Sequence, residues 1–414
     1  MPWTLDMCAN ACRLSGSAAT LTTPVAPLGD AMPTPQETLE APAPEATAAP
    51  TTGIAGKTPW LTLHVRAPLQ CETPLSLLRQ HRVTPTALLY VRNNQDLAGS
   101  FSAAAAAGPW RLELRGTRSV TLEVTELKRY PLVETEMVLQ CAGNSRAQYG
   151  RASPVSGAQW QDGAVANVVF GGVRLADVLS PLGIPKGARY LTARGAGEAH
   201  EPDLPPFERS VPLADVLDTA LLATTLNGEP LSALHGGPVR LVVPGYFGVN
   251  NVKWLTHISL DAETTDGFYQ TARYRLPLTP LAPGEAFEPT SENSRPSWRM
   301  GVKSLLWEPL VGETLRAGPV TLRGVAWTDG RSALEFVEVS HDGGSSWQRA
   351  ELEGAASPYA WRPWSLTLTL EAGERELWVR AGDSAGNVQP LEGAGWNPAG
   401  YEFNGVQRVR LSVR

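Results

Sequence analysis

A segment rich in proline and polar residues, 278–297, divides the chain into two parts whose hydrophobic patterns differ. Before this segment, apolar runs alternate with short helical patterns, which is typical of a mixed α+β domain. After it, strand-like runs are separated by Asp-Gly, Gly-Gly and Ala-Gly turns, as in an antiparallel β-sandwich. The sequence therefore predicts an α+β domain over residues 57–280 and a separate β-sandwich over residues 295–414.

Residues 1–56 are rich in alanine, proline and threonine, and such a composition does not bury enough apolar surface to fold. We expect a disordered extension there. No basic segment followed by an apolar stretch is present, and neither is a twin arginine, so no export signal is readable. The expected compartment is therefore the cytoplasm, with the periplasm as the alternative.

Composition excludes several classes of protein. The chain of 414 residues has a formal net charge of −6, whereas a broad nucleic-acid interface needs a basic stripe. It has no apolar run of the roughly 18 residues that a membrane-spanning helix needs. Its 4 cysteines are too few for a disulfide framework in a chain of this length, and no Cys-x-x-Cys-His motif for covalent haem attachment occurs.

Several segments of the first domain have recognisable local patterns. The run ETEMVLQCAG, residues 134–143, predicts a strand with Cys141 at its end. Two similar segments, GVRLADVLSPLGI and SVPLADVLDTALL, each predict a strand followed by a short helix. Period-2 alternation places one set of side chains on a single face of a later strand. The members of that set are Val252, Trp254, Thr256, Ile258 and Leu260.

Cys141 is the residue whose chemistry matters most. A lone buried cysteine usually acts as a small hydrophobe. Here it ends a strand, precedes a Gly143-Asn144 pair suited to a tight turn, and lies five residues before Arg146, which suits an anion. A nucleophilic cysteine needs a partner base, and a thiolate ligand suits a soft metal centre. The residues alone leave three roles open: core residue, nucleophile and metal ligand.

Motifs on both sides of Cys141 resemble the sulfite oxidase family of molybdopterin enzymes. The segment LQCAGNSR, residues 139–146, is similar to the family's cysteine motif, whose usual form is CAGNRR. YVRNN at 90–94 and GAQWQDGAVAN at 157–167 are similar to two further family segments. The longest similarity is LNGEPLSALHGGPVRLVVPGYFGVNNVKWL at 226–255, and DGFYQTARY and MGVKS follow it. The resemblance covers roughly residues 60–414.

The resemblance implies a molybdopterin-binding α+β domain followed by an immunoglobulin-like β-sandwich that pairs two subunits. It implies oxidation of sulfite to sulfate, with molybdenum-molybdopterin as cofactor, no haem in this chain, and a separate electron acceptor such as cytochrome c. One alternative keeps the fold and cofactor but acts on another sulfur compound, a sulfoxide or another oxyanion. The other alternative is a binding protein that has lost its metal.

The resemblance also assigns roles to residues. Cys141 is the implied molybdenum ligand, and the implied catalytic residues are Arg92, Arg146, Trp160 and Tyr274. The implied cofactor-binding residues are Asn93, Asn94, Ser145, His235, Arg240, Val249, Asn250 and Lys253. Simpler roles compete with several of these: a solvated strand end for Arg92, a core position for Trp160 and an exposed sheet face for Lys253.

Three positions depart from the family pattern. Asn94 stands where the family has histidine, and Ser145 replaces the first arginine of the usual Arg-Arg pair. Asn250 stands near the family's arginine before the VKWL segment. The last two departures each remove a positive charge near the expected anions. Two consequences remain open: weaker contacts to the cofactor phosphate, or a substrate other than sulfite.

Overall fold

The computed structural model describes residues 53–96, 108–199, 205–392 and 395–414, and all of them lie within one compact unit, Pro44–Arg414. The predicted extension therefore lies outside the described residues, except for its last four positions. Among the described residues, no helix is long and apolar enough to cross a membrane.

The N-terminal domain consists of many strands and a few short helices. Its strands, in chain order, are β1 Thr62–Val65, β2 Gln70–Glu72, β3 Val91–Arg92, β4 Gln95–Asp96, β5 Arg111–Arg115, β6 Ser119–Glu123, β7 Leu132–Gln140, β8 Val165–Arg174, β9 Tyr190–Gly195, β10 Glu198–Ala199, β11 Glu208–Pro212, β12 Leu221–Leu226, β13 Glu229–Pro230, β14 Arg240–Val242, β15 Leu255–Asp261, β16 Arg275–Pro277 and β17 Ser294–Pro296. Its helices are α1 Leu75–Leu78, α2 Arg146–Gly150, α3 Leu175–Leu179, α4 Leu213–Val216 and α5 Phe268–Thr271. Short 3₁₀ turns lie at Val124–Arg129, Ser180–Leu182, Ala233–His235 and Gly248–Asn250.

Two five-stranded sheets form most of this domain. One has the order β11-β9-β15-β5-β6 and is mixed, because β15 is parallel to β5 and antiparallel to β9. The other has the order β13-β12-β8-β7, with β14 also paired to β12. The segment around Arg92 belongs to a small antiparallel sheet, β1-β2-β3, and to the pair β4-β10.

The predicted strand before Cys141 is confirmed as β7. Its register with β8 runs from Leu132 opposite Val173 to Gln140 opposite Val165. The last four residues of β7 are all buried, which explains why the apolar run there does not alternate. The two predicted strand-to-helix segments are also confirmed, as β8 followed by α3 and β11 followed by α4.

The predicted single face of β15 is wrong in part. The strand begins only at Leu255, and a bulge between Leu255 and His257 interrupts its pairing with β9. A bulge shifts the alternation by one residue. Leu255, Ile258 and Leu260 are therefore buried together, whereas Thr256 is half-buried and its hydroxyl donates to the Arg194 carbonyl.

The C-terminal sandwich has two packed sheets, as predicted. Its strands are β18 Lys303–Glu308, β19 Thr314–Leu315, β20 Gly318–Trp327, β21 Leu334–Ser340, β22 Gln348–Arg349, β23 Glu351–Leu352, β24 Arg362–Leu370, β25 Gly373–Asp383 and β26 Gln407–Val413. The sheets have the orders β18-β20-β24-β23 and β19-β26-β25-β21-β22. Leu322, Val337, Trp364, Leu377 and Val409 share one buried cluster between them.

Candidate active site

Cys141 lies at the end of β7 and lines a cavity of the N-terminal domain. Its side chain is 6% exposed, its backbone N–H donates to the Ala164 carbonyl at 2.9 Å, and its Sγ accepts from the Gly143 N–H at 3.4 Å. The cavity is lined by Tyr90, Arg92, Asn93, Asn94, Gln95, Leu139, Cys141, Ala142, Phe207, His235, Arg240, Gly248, Val249, Asn251, Lys253, Trp254 and Tyr274. Segments far apart in the chain thus converge on one thiol.

The cavity is electropositive. Arg92, Arg240 and Lys253 line it, and no Asp or Glu is among the lining residues of the described chain. Burial lowers the pKa of Arg240 to about 10, so this guanidinium is still charged at neutral pH. Burial, and then the charges of Arg240, Lys57 and Arg92, hold the pKa of Lys253 well below its usual value. A bound anion would relieve this repulsion, so the cavity favours a negatively charged ligand.

Lys253 is fixed at the edge of the cavity. Its ammonium donates to Asn93 Oδ1 and to the Leu234 carbonyl, each at 2.7 Å. Asn93 is 2% exposed, and its Nδ2 is buried without a hydrogen-bond partner among the described residues. The exposed-face role that the sequence left open for Lys253 is wrong, because the residue precedes β15 and points inward.

Arg92, Tyr274 and Asn94 form a hydrogen-bonded chain along the wall of the cavity. The Arg92 guanidinium donates to the Tyr274 hydroxyl at 3.1 Å, and that hydroxyl donates to Asn94 Oδ1 at 2.8 Å. Burial disfavours the charge on Arg92, but Tyr274 and Cys141 outweigh it and raise the pKa of Arg92. Asn94 therefore orients the tyrosine through an amide that does not titrate.

His235 lines the cavity from the 3₁₀ turn Ala233–His235. Its Nε2 lies 2.6 Å from the ammonium nitrogen of Lys57, and its carbonyl accepts from Arg240 at 3.1 Å. Burial, and then the charges of Lys57, Lys253 and Arg240, hold the pKa of His235 well below its usual value. The imidazole is therefore neutral at physiological pH.

Two predicted cofactor-binding residues do not line the cavity. Asn250 is fully buried, and its Oδ1 accepts from Arg209 at 3.0 and 3.2 Å, so it anchors that arginine. Its neighbour Asn251 lines the cavity instead, one position along the same GVNNVKW segment. Ser145 is fully buried in a left-handed conformation with φ 65°, and its hydroxyl donates to Asp162 and accepts from Lys303. The side chains of Asn250 and Ser145 are committed to these structural bonds.

Arg146 and Trp160 also lie outside the cavity lining. The Arg146 guanidinium donates to the Ala158 carbonyl at 3.0 Å and lies 5.4 Å from the Tyr401 ring centroid of the C-terminal sandwich. Trp160 is fully buried, with its ring centroid 4.7 Å from that of His64. Of the four implied catalytic residues, Arg92 and Tyr274 therefore line the cavity, whereas Arg146 and Trp160 do not.

Glycines explain how Arg146 fits. A Cβ at Gly143 or at Gly157 would lie 2.6 Å from a guanidinium nitrogen, and a Cβ at Gly400 would lie 2.5 Å from Arg146 Cγ. These glycines thus form a close cradle around the side chain. Arg146 Nε is buried without a hydrogen-bond partner among the described residues, so the guanidinium keeps an unused donor.

Sequence reasoning missed several lining residues. The missed lining residues with polar or aromatic side chains are Tyr90, Gln95, Phe207, Asn251 and Trp254. Tyr90 is the first residue of the YVRNN segment and Gln95 follows that segment directly. Asn251 and Trp254 belong to the segment that ends in VKWL, so membership of those motifs or adjacency to them was a usable signal. Phe207 lies in a proline-rich segment without any such signal.

The residues present fit a molybdenum-molybdopterin group. A thiol, the basic side chains of Arg92, Arg240 and Lys253, and the unpartnered Asn93 amide face one space that no Asp or Glu of the described residues lines. Among the described residues, no cluster of three His, Cys, Asp or Glu is placed to hold a metal ion. This suits a centre with one protein ligand, Cys141, whose other ligands come from an organic cofactor.

The sequence matches known families over both domains. Residues 99–269 match the oxidoreductase molybdopterin binding domain, and residues 294–414 match the Mo-co oxidoreductase dimerisation domain. Sulfite oxidase from Arabidopsis thaliana is 31% identical over 387 residues, covering 86% of this chain and 94% of the plant protein. The chain belongs to the sulfite oxidase family.

Other members of the sulfite oxidase family agree with this assignment. Mitochondrial sulfite oxidase from Homo sapiens is 34% identical over 369 residues, covering 86% of this chain but 66% of the human protein. The chain thus spans about two thirds of that relative's length. Among solved structures, the sulfane dehydrogenase SoxCD from Paracoccus pantotrophus is similar with a TM-score of 0.67 and 28% identity, over 83% of this chain and 84% of the other. The α+β domain is therefore a molybdopterin-binding domain, and the sandwich is a dimerisation domain.

Proposed function

We propose that this protein oxidises sulfite to sulfate at a molybdenum-molybdopterin centre held by Cys141. The observation that carries the proposal is the convergence of the Cys141 thiol with Arg92, Arg240 and Lys253 on one cavity that no described Asp or Glu lines. In this reaction sulfite gains one oxygen that derives from water and releases two protons and two electrons. Molybdenum would supply the oxygen-atom transfer and accept the electrons.

The residues of this chain divide the remaining work. His235, Arg240, Lys253, Asn93 and Val249 would hold the pterin and its phosphate, because they combine positive charge, amide donors and close backbone. All five residues line the same cavity. Fixed cations and amides that are arranged before the ligand arrives stabilise it without reorganisation.

Arg92 would bind the substrate oxyanion. Its planar guanidinium matches a pyramidal oxyanion, and its bond to Tyr274 at 3.1 Å fixes its orientation. Tyr274 also lines the cavity, and its hydroxyl donates in turn to Asn94 Oδ1 at 2.8 Å. Substrate binding would therefore depend on the Arg92-Tyr274-Asn94 chain as a unit.

The electron acceptor would be a separate protein such as cytochrome c, with no haem in this chain. The test is steady-state kinetics of purified protein with sulfite and cytochrome c, together with the molybdenum content by mass spectrometry. We expect about one molybdenum per chain and sulfite-dependent reduction of the cytochrome. A protein that contains no molybdenum after expression with an adequate supply would refute an enzymatic role and favour a binding protein.

A second candidate is oxidation of another sulfur compound by the same centre. Two observations favour it: Ser145 brings no charge beside Arg146, and the similar SoxCD structure is that of a sulfane dehydrogenase. The two candidate functions are distinguished by comparing kcat/KM for sulfite with kcat/KM for a persulfide, measured on one preparation of enzyme. A higher kcat/KM for the persulfide would select the second candidate.

A further inference from the structure

Lys57 lies ahead of β1, outside the residues that match the molybdopterin-binding family, yet its side chain reaches the cavity wall. Its ammonium nitrogen lies 2.5 Å from the Thr86 carbonyl oxygen, 2.7 Å from the Leu89 carbonyl oxygen and 2.6 Å from His235 Nε2. Lys57 is therefore surrounded by three acceptor positions.

The count of hydrogens decides how this cluster is protonated. A lysine ammonium carries three hydrogens and has no acceptor, and a carbonyl oxygen only accepts. While Lys57 is charged, two hydrogens go to the Thr86 and Leu89 carbonyls and the third goes to His235, whose Nε2 is then the accepting, unprotonated nitrogen. A neutral imidazole with an unprotonated Nε2 carries its proton on Nδ1.

The neutral state of the imidazole follows from its surroundings. His235 is 2% exposed, and Lys57, Lys253 and Arg240 all raise the cost of a further positive charge there. The hydrogen bonds of His235 to other described residues involve its Nε2 and its backbone, and the residue lines the cavity. The Nδ1–H group is thus left as a donor for whatever the cavity holds.

We propose that Lys57 is a positioning residue that fixes His235 as the Nδ1–H tautomer, so that this histidine donates a hydrogen bond to the bound anionic cofactor. The inference rests on the proposed function for the identity of that ligand. The tautomer itself depends only on contacts within the chain. Lys57 thereby links the segment ahead of β1 to the cavity without touching the reacting atoms.

Nuclear magnetic resonance of the full-length holoprotein, labelled with ¹⁵N at its histidine rings, tests this assignment. Burial lowers the pKa of Lys57 to about 7, against a smaller opposing effect of Cys71, so spectra at pH 6 sample the protonated lysine. The His235→Gln variant assigns the His235 signals. We expect a proton on Nδ1 and none on Nε2 in the wild type, and loss of this single tautomer in Lys57→Met. The exposed Lys128→Met variant should leave the spectrum unchanged.

A second readout is retention of the cofactor. Loss of one hydrogen bond to a charged group corresponds to roughly a tenfold change in affinity or more. We therefore expect molybdenum to leave Lys57→Met about tenfold faster during dialysis.

A proton on Nε2 of the wild type would overturn the proposal. A Lys57→Met protein with the wild-type tautomer and wild-type retention of molybdenum would also overturn it. If Lys57→Met does not fold, the wild-type spectrum alone decides. An absence of molybdenum in the wild type would instead refute the proposed function and leave the tautomer assignment standing.

Discussion

The ammonium of Lys303 donates a hydrogen bond to Oγ of Ser145 at 2.6 Å, from the first strand of the C-terminal sandwich to the turn that follows Cys141. The Ser145 hydroxyl in turn donates a hydrogen bond to Asp162, and Lys303 also donates to the Phe403 carbonyl at 3.0 Å. The Ser145 position, where the family pattern has a positive charge, therefore receives a buried cation from the other domain.

Replacement of Lys303 by methionine should destabilise the protein. Lys303 is 2% exposed, and its removal leaves Ser145 and Asp162 without their ammonium partner. We expect a loss of about 2 kcal/mol in the free energy of unfolding, because hydrogen bonds to charged groups contribute that order of magnitude. Urea unfolding followed by tryptophan fluorescence measures it. The exposed Lys186→Met variant should change the free energy by less than about 0.5 kcal/mol.

The difference in unfolding free energy between the wild type and Lys303→Met should depend on pH with a definite sign. Burial, only partly opposed by Asp162, lowers the pKa of Lys303 to about 8 in the folded protein, against about 10.4 in the unfolded chain. Between these values the unfolded chain binds more protons, so stability rises with pH. The wild type should therefore gain unfolding free energy relative to Lys303→Met from about pH 8 to about pH 10. Unfolding curves in that range with an unchanged or falling difference would contradict the buried-cation assignment.

Cys141→Ser should abolish sulfite oxidation and leave the fold intact. A serine hydroxyl does not replace a thiolate as ligand for a soft metal. We expect sulfite-dependent reduction of cytochrome c to fall below detection, while the circular dichroism spectrum is retained. Cys71, the other free cysteine among the described residues, is fully buried but lies outside the cavity lining. Its Cys71→Ala variant should keep wild-type activity, and equal losses of activity in both variants would exclude a specific ligand role for Cys141.

Arg92→Lys should weaken substrate binding. Lysine keeps the charge but loses the planar fork and the bond to the Tyr274 hydroxyl at 3.1 Å. The expected fall in kcat/KM for sulfite is about 10- to 100-fold, with most of it in KM, since charged hydrogen bonds contribute roughly 1.5–3 kcal/mol. Stopped-flow and steady-state kinetics check this. The exposed Arg174→Lys variant should behave like the wild type.

Gly143→Ala should disturb Arg146. The new Cβ would lie 2.6 Å from a guanidinium nitrogen and 3.2 Å from a Trp160 ring carbon, so the arginine must move. We expect kcat/KM to fall on the order of tenfold. This corresponds to an increase of about 1.4 kcal/mol in the activation free energy when Arg146 is displaced. The matched control is Gly150→Ala, whose Cβ meets its nearest neighbour at an ordinary 3.5 Å. Indistinguishable kinetics for the two variants would show that Arg146 tolerates displacement.

The sequence by itself determined the order of the two domains, the strand that carries Cys141 and the motifs that contain most of the cavity lining. These features are local: an apolar run of fixed length ends where glycine and asparagine make a turn. This local pattern singled out Cys141, and the resemblance of the surrounding motifs to the family singled out Arg92, His235, Arg240, Lys253 and Tyr274.

The tertiary structure decided where each polar side chain of those motifs points. Asn250 and Asn251 are adjacent in sequence, yet one binds Arg209 and the other lines the cavity. Ser145 and Arg146 follow Cys141 closely, but their partners are Lys303 and Tyr401 from the C-terminal sandwich. Long-range packing determines which partner each side chain binds, because a buried polar group needs a hydrogen-bond partner. That partner often lies far away in the chain, so the local sequence does not identify it.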